Sequence, residues 1–208
     1  MRQLTRPDPK GRDKRRCSSR PSAILGLLMV AVLSCPAVRS QSTNRYQKLY
    51  QNDTYAYSVT LAPGTTAIGP SAPNPNHGFT VPLHSSAAPK VQGSTDSYLW
   101  VSAFFVPADG VDNLSDAVRY NLRTAESGLG ASLKIRQEGE ASLAGIKARR
   151  VISDFDAHGT QMVDEELVAI RDSFMYTIGL RTTPEQWPAD RALFEQIVSG
   201  FKALPLRK

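Results

Sequence analysis

The sequence predicts an α+β fold in which helices pack on an antiparallel sheet. Three observations support this prediction: the stretch from Leu143 to Leu180 alternates like paired strands, two other segments have helical spacing, and hairpins dominate over crossover connections. Hairpin connections join antiparallel strands, whereas parallel strands need longer crossovers. The order of strands, helix, strands and helix therefore favours α+β with an antiparallel sheet.

The stretch from Leu143 to Leu180 can be folded into three antiparallel strands joined by two tight turns. The turns are placed around Ala157-His158 and Asp172-Ser173. A slip of one residue would move every side chain to the other face of the sheet, so agreement between two hairpins is informative. Both hairpins place one apolar set on the same face: Ile146, Ala148, Ile152, Val163, Leu167, Ala169, Phe174, Tyr176, Ile178 and Leu180.

These turns also predict the register of each hairpin. The first turn sets Arg150 opposite Glu165, which forms a favourable cross-strand charge pair. The second turn sets Leu167 opposite Ile178. Because Glu165 and Glu166 are adjacent in a strand, their side chains point to opposite faces and do not form an acid and base pair.

The segment before this stretch contains strands and two long polar connections. Alternation predicts a half-buried strand over Tyr55–Leu61, and a run apolar on both faces predicts a central strand over Tyr98–Val106. Gly78–Leu83 is predicted as a short strand, with Pro82 suited to an edge position. Proline, glycine and small polar residues predict long loops over Pro63–His77 and His84–Ser97.

Two helices are predicted from capping residues and apolar spacing. The first starts at Asp112 or Asn113 and ends around Gly128. The second follows Thr183–Gln186, which resembles a capping box with proline at the first helical position, and ends at Gly200. Both helices carry an apolar stripe that can pack on the sheet.

The first 40 residues have the order of a secretory signal peptide. A basic segment precedes an apolar run, Ala23–Leu33, and small residues follow, with cleavage expected near Ser40. An apolar run of this length is too short to span a bilayer as a helix. The predicted organisation is a signal peptide over 1–40, a polar lead over 41–54 and a single domain over 55–208.

The leader also accounts for the basic character of the chain. It contains nine of the 25 basic residues and two of the 19 acidic residues, which leaves 16 basic and 17 acidic residues in the remainder. A net charge near −1 gives no reason to expect a nucleic-acid partner. The signal-peptide order of the leader predicts an exported protein, either periplasmic or extracellular.

Both cysteines, Cys17 and Cys35, lie in the leader. Cys35 follows a segment that resembles a bacterial lipobox, so a lipoprotein anchored through Cys35 is the alternative to cleavage near Ser40. This anchor is the predicted route to a membrane. In either case the mature domain has no disulfide, no thiolate metal site and no cysteine nucleophile.

The sequence resembles the PsbP-like α/β/α sandwich superfamily, which includes secreted bacterial members of unassigned role. The resemblance rests on an aromatic opening strand with a Pro-Gly turn and on three later segments, and it covers about residues 46–204. These segments are Tyr55–Val59 with Pro63-Gly64, Gly145–Ala148, Phe174–Ile178 and Ile197–Phe201. It implies a binding or assembly role and no catalytic residue.

The segment from Asp154 to Glu165 copies the spacing of an EF-hand calcium loop. Asp154, Asp156 and Glu165 are the candidate metal ligands. An EF-hand loop joins two helices, whereas this segment lies in a predicted hairpin. The alternative is a polar turn in which Asp156 and Gly159 supply the turn geometry, and no cofactor is expected.

The remaining residues give little support for catalysis. The three histidines, His77, His84 and His158, are dispersed, and no Gly-x-Ser-x-Gly motif occurs. His77 and His84 are separated by an extended segment of about 23 Å, which prevents them from sharing one metal ion. A non-enzymatic role is therefore predicted, and a secreted hydrolase with an unrecognised site is the alternative.

The two long loops are the predicted location of binding. Loops as long as Pro63–His77 and His84–Ser97 are usually functional or disordered. If they are ordered, they frame a sheet end that carries Tyr55, Tyr57 and Trp100, the candidate partner-binding residues. Aromatic residues beside proline-rich loops suit an envelope protein or a small apolar ligand. The alternative is that both loops are disordered surface.

Overall fold

The computed structural model describes residues 44–69, 77–85, 95–106 and 111–206. Residues 41–208 form one compact unit. The predicted signal peptide, its cleavage near Ser40 and the lipid anchor at Cys35 lie outside the described residues and stay predictions. Within the described ranges, neither helix combines the length and apolar character that a membrane span requires.

The described residues form eleven strands and two helices. The strands are β1 (Asn44–Tyr46), β2 (Leu49–Asn52), β3 (Tyr57–Thr60), β4 (Ala67–Gly69), β5 (Phe79–Pro82), β6 (Tyr98–Phe105), β7 (Lys134–Leu143), β8 (Ile146–Ala157), β9 (Thr160–Arg171), β10 (Phe174–Thr182) and β11 (Phe201–Ala203). The helices are α1 (Leu114–Leu129) and α2 (Trp187–Gly200).

Eight strands form one sheet in the order β1-β4-β5-β6-β10-β9-β8-β7, and β11-β3-β2 form a second sheet. Each paired strand in both sheets is antiparallel to its neighbour. The predicted α+β class with an antiparallel sheet is confirmed.

The large sheet separates two layers. One face packs on α2 and the small sheet, where Tyr57, Phe194 and Tyr176 belong to the main core. The other face packs on α1, where Val118 contacts the cluster that includes Val168. The arrangement is therefore α1, then the sheet, then α2 beside the small sheet.

The predicted face of the three-strand stretch is correct, but one register differs. Arg150 lies opposite Leu167 and not opposite Glu165. The reason is that His158 and Gly159 form the turn, and both have positive φ. Such a turn is typical of two-residue hairpins. The shift is two residues, so each side chain keeps its face. The second hairpin has the predicted register, with Leu167 opposite Ile178.

Two regions predicted as irregular contain short strands. The stretch Pro63–His77 includes β4, whose residues are buried, and the stretch 41–54 includes β1 and β2. Strands of three or four residues are too short to show alternation in a sequence. β5 confirms a strand within Gly78–Leu83, but it lies between β4 and β6 instead of at an edge. Pro82 is tolerated there because it ends the strand.

α1 starts and ends close to the predicted positions, whereas α2 starts later than the capping box at Thr183–Gln186 predicts, and no side chain caps it. Asn113 caps α1 by accepting hydrogen bonds from two backbone N–H groups of the first turn, and Gly130 ends it in the left-handed conformation. α2 begins at Trp187, because the residues before it form a turn in which the Trp187 N–H donates to the Thr183 carbonyl at 2.9 Å. Pro188 therefore occupies the start of α2.

Candidate functional site

Two of the three predicted partner-binding aromatics are core residues. Tyr55 is 4% exposed and Tyr57 is fully buried. The Tyr57 ring stacks on Phe201 at 5.5 Å and meets the edge of Tyr176 at 5.7 Å. The contact with Tyr176 joins the small sheet to the large one, and the Tyr176 hydroxyl donates to the Tyr55 carbonyl at 2.8 Å, so both tyrosine positions support the fold.

Trp100 lies on the other face of the large sheet. It is opposite Gly179 in β10, whereas Tyr176 faces the small sheet, and odd and even positions of a strand point to opposite sides. Its ring lies 5.9 Å from the Arg181 guanidinium. The structure therefore does not bring Trp100 together with Tyr55 and Tyr57.

The predicted calcium ligands already have protein partners. Asp154 accepts two hydrogen bonds from Arg136, one of them from Nε at 3.1 Å. Asp156 accepts the Gly159 N–H at 2.7 Å and the Gln161 amide at 3.0 Å. The carboxylate of Asp156 thus stabilises the hairpin turn, which is the geometry of the alternative interpretation.

Glu165 faces α2 and binds side chains of that helix. It is fully buried and accepts the Trp187 indole N–H at 2.9 Å. Arg150 and Arg191 form ion pairs with it at 3.4 Å and 3.3 Å. Among the described residues, no three His, Cys, Asp or Glu side chains are grouped in a way that could hold a metal ion.

One histidine belongs to a polar cluster between the sheet and α2. His84 Nε2 lies 3.1 Å from Asp190 Oδ2, and the same oxygen accepts the Thr182 hydroxyl at 2.6 Å. Ser97 Oγ donates to Gln186 at 3.3 Å. His77 packs instead on Tyr55, and His158 occupies a turn.

This cluster lacks the order of a catalytic triad. In a triad the imidazole lies between the hydroxyl and the carboxylate, so that it can take the hydroxyl proton. Here Asp190 lies between Thr182 and His84. The arrangement fixes the start of α2 to the ends of the connection between β5 and β6.

A buried ion pair lies on the face that packs on α1. Arg181 is 3% exposed and Asp164 is 1% exposed, and two guanidinium nitrogens donate to the carboxylate, one of them Nε at 2.7 Å. The remaining nitrogen donates to the Tyr98 hydroxyl at 2.9 Å, and the Phe155 ring lies 4.8 Å away. Burial alone would lower the pKa of Arg181, but Asp164 outweighs this effect and raises that pKa above its ordinary value.

Glu166 is the second acidic residue on this face. Asn121 of α1 donates to its Oε2 at 2.5 Å. Burial, followed by the neighbouring Asp164 carboxylate, raises the pKa of Glu166 to about 7. Glu165 and Glu166 point to opposite faces, as predicted. The cluster of Asp164, Glu166 and Arg181 was missed from the sequence, where its only signal is a run of three acidic residues in the middle of a strand.

A cavity of about 560 Å³ lies beside the connection between β3 and β4. Its walls come from two segments, which are joined where the Leu61 N–H donates to the Lys48 carbonyl at 2.9 Å. The Pro63-Gly64 turn closes one side, with the Thr65 N–H bonded to the Ala62 carbonyl. Among the described residues of its lining, Lys48 is the charged one. The start of the predicted Pro63–His77 binding loop thus borders a preformed cavity.

No family model and no curated protein sequence matches the chain. Among solved structures, it is similar to PsbP (CyanoP) from Synechocystis sp. PCC 6803, with a TM-score of 0.53, 15% identity, and coverage of 83% of this chain and 98% of that chain. The chain has a PsbP-like fold.

Two further solved structures share the PsbP-like fold. The Saccharomyces cerevisiae Ran-binding protein Mog1p has a TM-score of 0.53 and 11% identity, and the match covers 78% of this chain and 97% of that chain. LpqN of Mycobacterium tuberculosis, which is involved in cell envelope biogenesis, has a TM-score of 0.52 and 11% identity, with coverage of 81% and 95%. Each match spans nearly the whole neighbour, so the similarity concerns the complete PsbP-like fold.

Proposed function

We propose that the protein is exported and acts as a non-enzymatic binding or assembly-type module of the cell envelope. The observation that carries the proposal is a preformed cavity on a PsbP-like fold. Among the described residues of the polar cluster between the sheet and α2, no hydroxyl is hydrogen-bonded to the His84 imidazole. The named roles of two neighbours, Ran binding for Mog1p and envelope biogenesis for LpqN, fit a fold used for binding.

Export is supported by the order of residues 1–40, in which a basic segment, an apolar run and small residues follow one another. The intact mass of the protein from the periplasm or the medium tests this point. A chain that begins at Gln41 supports export with cleavage. A lipidated chain that begins at Cys35 supports the lipoprotein alternative, and an uncut cytoplasmic chain contradicts both.

The cavity is the proposed binding site because its shape does not depend on a ligand. Its lining combines the buried Leu61 and the exposed Pro63 with threonine and glutamine side chains. Pockets of this size that combine an apolar floor with a few polar groups are suited to a small apolar ligand or to an inserted side chain of a partner protein.

Site-specific photo-crosslinking in intact cells tests the cavity. Benzoylphenylalanine is placed at Thr66, which lines the cavity, and at Glu140, which is exposed on β7 at the other side of the fold. We expect a discrete adduct from position 66 that position 140 does not give. A lining change that fills the cavity, Lys48→Trp, should abolish that adduct in the position-66 chain. Identical adducts from both positions, or an adduct that survives the filled cavity, contradict the proposed site.

A secreted hydrolase is the second candidate, and the contact between His84 and Asp190 is the observation that favours it. A carboxylate beside an imidazole is one part of a general base. Purified protein is assayed against ester and peptide libraries, with His84→Ala as the variant and His77→Ala as the control, since His77 packs on Tyr55. We expect no turnover. Turnover that His84→Ala abolishes and His77→Ala retains would replace the binding-module proposal.

A further inference from the structure

Glu166 lies beneath α1, and it is linked to that helix by one short hydrogen bond. Its side chain is 5% exposed, and the Asn121 amide donates to Oε2 at 2.5 Å. Among the described residues, this is the side-chain hydrogen bond that joins α1 to a strand of the sheet. The other described contacts of α1 with the sheet are packing contacts of apolar and aromatic side chains.

The apolar contacts of α1 surround this bond. Val118 is buried against Val151, Val168 and Met175, and the partly buried Leu122 packs on the same cluster. The helical spacing of Val118, Asn121 and Leu122 places the three side chains on one face. Separation of α1 from the sheet would therefore both break the hydrogen bond from Asn121 and admit water to Glu166.

The charged side chains on the face of Glu166 are of both signs. Asp164 lies two residues earlier in β9 on the same face, and Arg181 of β10 is already bonded to Asp164. Among the described contacts, the Tyr98 hydroxyl of β6 is hydrogen-bonded to Arg181 and not to Glu166.

Three further positions complete the charge environment. Val151 of β8 lies opposite Glu166, and Arg149 of the same strand is on the same face. Glu138 of β7 lies opposite Val151. In the described part of the chain, neither Arg149 nor Glu138 forms a hydrogen bond or an ion pair with Glu166. On α1 the residue that faces it is the neutral Asn121. An ionised Glu166 would thus share one buried cation with Asp164.

We propose that Glu166, beneath Asn121, forms a proton-dependent clasp, which holds α1 on the sheet while Glu166 is protonated and loosens α1 when Glu166 ionises. The Asn121 bond itself favours the ionised carboxylate, but burial and the nearby Asp164 carboxylate outweigh it. A buried carboxylate with too little positive charge nearby is costly, and hydration relieves that cost. The nearest element whose movement admits water is α1. Its release exposes Val151, Val168 and Met175, so the device controls an apolar surface.

The direction of the effect follows from proton linkage. With α1 docked, the pKa of Glu166 is about 7, and it returns towards the ordinary 4.5 when α1 opens. The docked state therefore binds more protons, so its stability is greatest below pH 4.5, falls between pH 4.5 and 7, and is constant above pH 7. From pH 5.5 to 8.5 the equilibrium constant for opening α1 should rise by about 30-fold.

Amide hydrogen exchange measured at pH 5.5, 7.0 and 8.5 tests the clasp, after correction for the intrinsic exchange rates. We expect α1 amides to show the 30-fold rise and, at pH 8.5, to exchange through an opening that costs less free energy than exchange of β9 amides. Glu166→Gln keeps an acceptor for Asn121 but cannot ionise, so its α1 amides should show no such rise. Glu138→Gln, on the same face of exposed β7, should behave like the unmodified protein.

Three results would overturn the clasp. One is α1 opening that does not change between pH 5.5 and 8.5 in the unmodified protein. Another is the same pH dependence in Glu166→Gln. The third is exchange of α1 and β9 amides with equal free energy at every pH, which means that opening is global. If Glu166→Gln fails to fold, carbon-13 titration of the Glu166 carboxyl in the unmodified protein decides, and a midpoint near 4.5 contradicts the proposal.

Discussion

Arg181 and Asp164 lie opposite each other in β10 and β9, and they form an ion pair in the interior of the protein. The guanidinium of Arg181 is also flanked by the rings of Phe155, Tyr98 and Trp100. Its hydrogen bonds to Asp164 and to the Tyr98 hydroxyl hold it in one orientation. The charged side chain of Arg181 thus packs among aromatic rings of β6 and β8 in the interior.

Loss of this arginine should be strongly destabilising. Arg181→Met retains much of the side-chain volume but leaves Asp164 buried without a cation, so we expect the free energy of unfolding to fall by about 3–5 kcal/mol. Urea denaturation at pH 7 measures the change. Asp164→Asn combined with Arg181→Met should cost less than the sum of the two single changes, because the double variant has no unpaired charge. Additive losses would show that the two residues do not act as a pair.

Gly179 should tolerate no side chain while Trp100 is present. A Cβ atom at Gly179 would overlap the Trp100 ring, which lies across the glycine. Gly179→Ala is expected to destabilise the protein by about 1–3 kcal/mol, as overpacked cores do. Gly139→Ala is the matched control, because that strand glycine has no neighbour within 4 Å of the added atom.

Trp100→Phe should relieve the effect of Gly179→Ala. The smaller ring leaves room for a methyl group, so the double variant should be more stable than the sum of the single changes predicts. Thermal melts of the four proteins measure this coupling. A Gly179→Ala variant that melts like the unmodified protein would mean that Trp100 moves aside at little cost.

The sequence alone identified the long hairpins because their strands have nine or more residues, enough for alternation to be clear. Their faces were correct even where the register differed by two residues, since the face depends only on odd or even spacing. The turn at His158 and Gly159 was misplaced by one position, because a non-glycine residue with positive φ leaves little signal in a sequence. Short strands such as β4 were missed, because three residues are too few to show alternation.

The candidate sites were harder to predict because they depend on which face a side chain occupies. β6 is apolar on both faces, so its pattern did not show that Trp100 points away from Tyr57. The cluster of Asp164, Glu166 and Arg181 combines two strands that a sequence does not align without their register. The stretch after Pro63 was predicted as a loop, but it contains the buried strand β4, so removal of Ala67–Gly69 would remove part of the large sheet.

Trp187 should be important for the attachment of α2. Its indole N–H donates to Glu165 at 2.9 Å, and its ring is contacted by the guanidinium groups of Arg136 and Arg191, at 5.5 Å and 5.3 Å. Trp187→Phe keeps an aromatic ring but removes the donor from a fully buried carboxylate. We expect a loss of about 1–3 kcal/mol in the free energy of unfolding.

The companion variant Glu165→Gln separates the hydrogen bond from the ring contacts in this attachment. If the bond matters, Trp187→Phe should cost less in the Glu165→Gln background than in the unmodified protein, because the acceptor is no longer a carboxylate. Chemical denaturation gives both values. An equal cost in the two backgrounds would assign the effect of Trp187 to packing alone.

Calcium should leave the stability of the protein unchanged. The oxygens of Asp154 are bonded to Arg136, those of Asp156 hold the turn, and Glu165 is directed at α2 and its arginines. A calcium ion would have to displace a guanidinium and part of a turn before it gained these ligands, and it prefers six to eight oxygen ligands. Melts with calcium and with a chelator should therefore coincide.

Asp154→Ala distinguishes the ion-pair role of this residue from a metal role. The pair with Arg136 is partly exposed, so its loss should lower the free energy of unfolding by no more than about 1 kcal/mol. That loss should be equal in calcium and in chelator, because it concerns only protein groups. Asp156→Ala is the second comparison, since it removes the acceptor of the Gly159 N–H from the turn. A rise in melting temperature with calcium that both variants lack would instead establish the hairpin as a metal site.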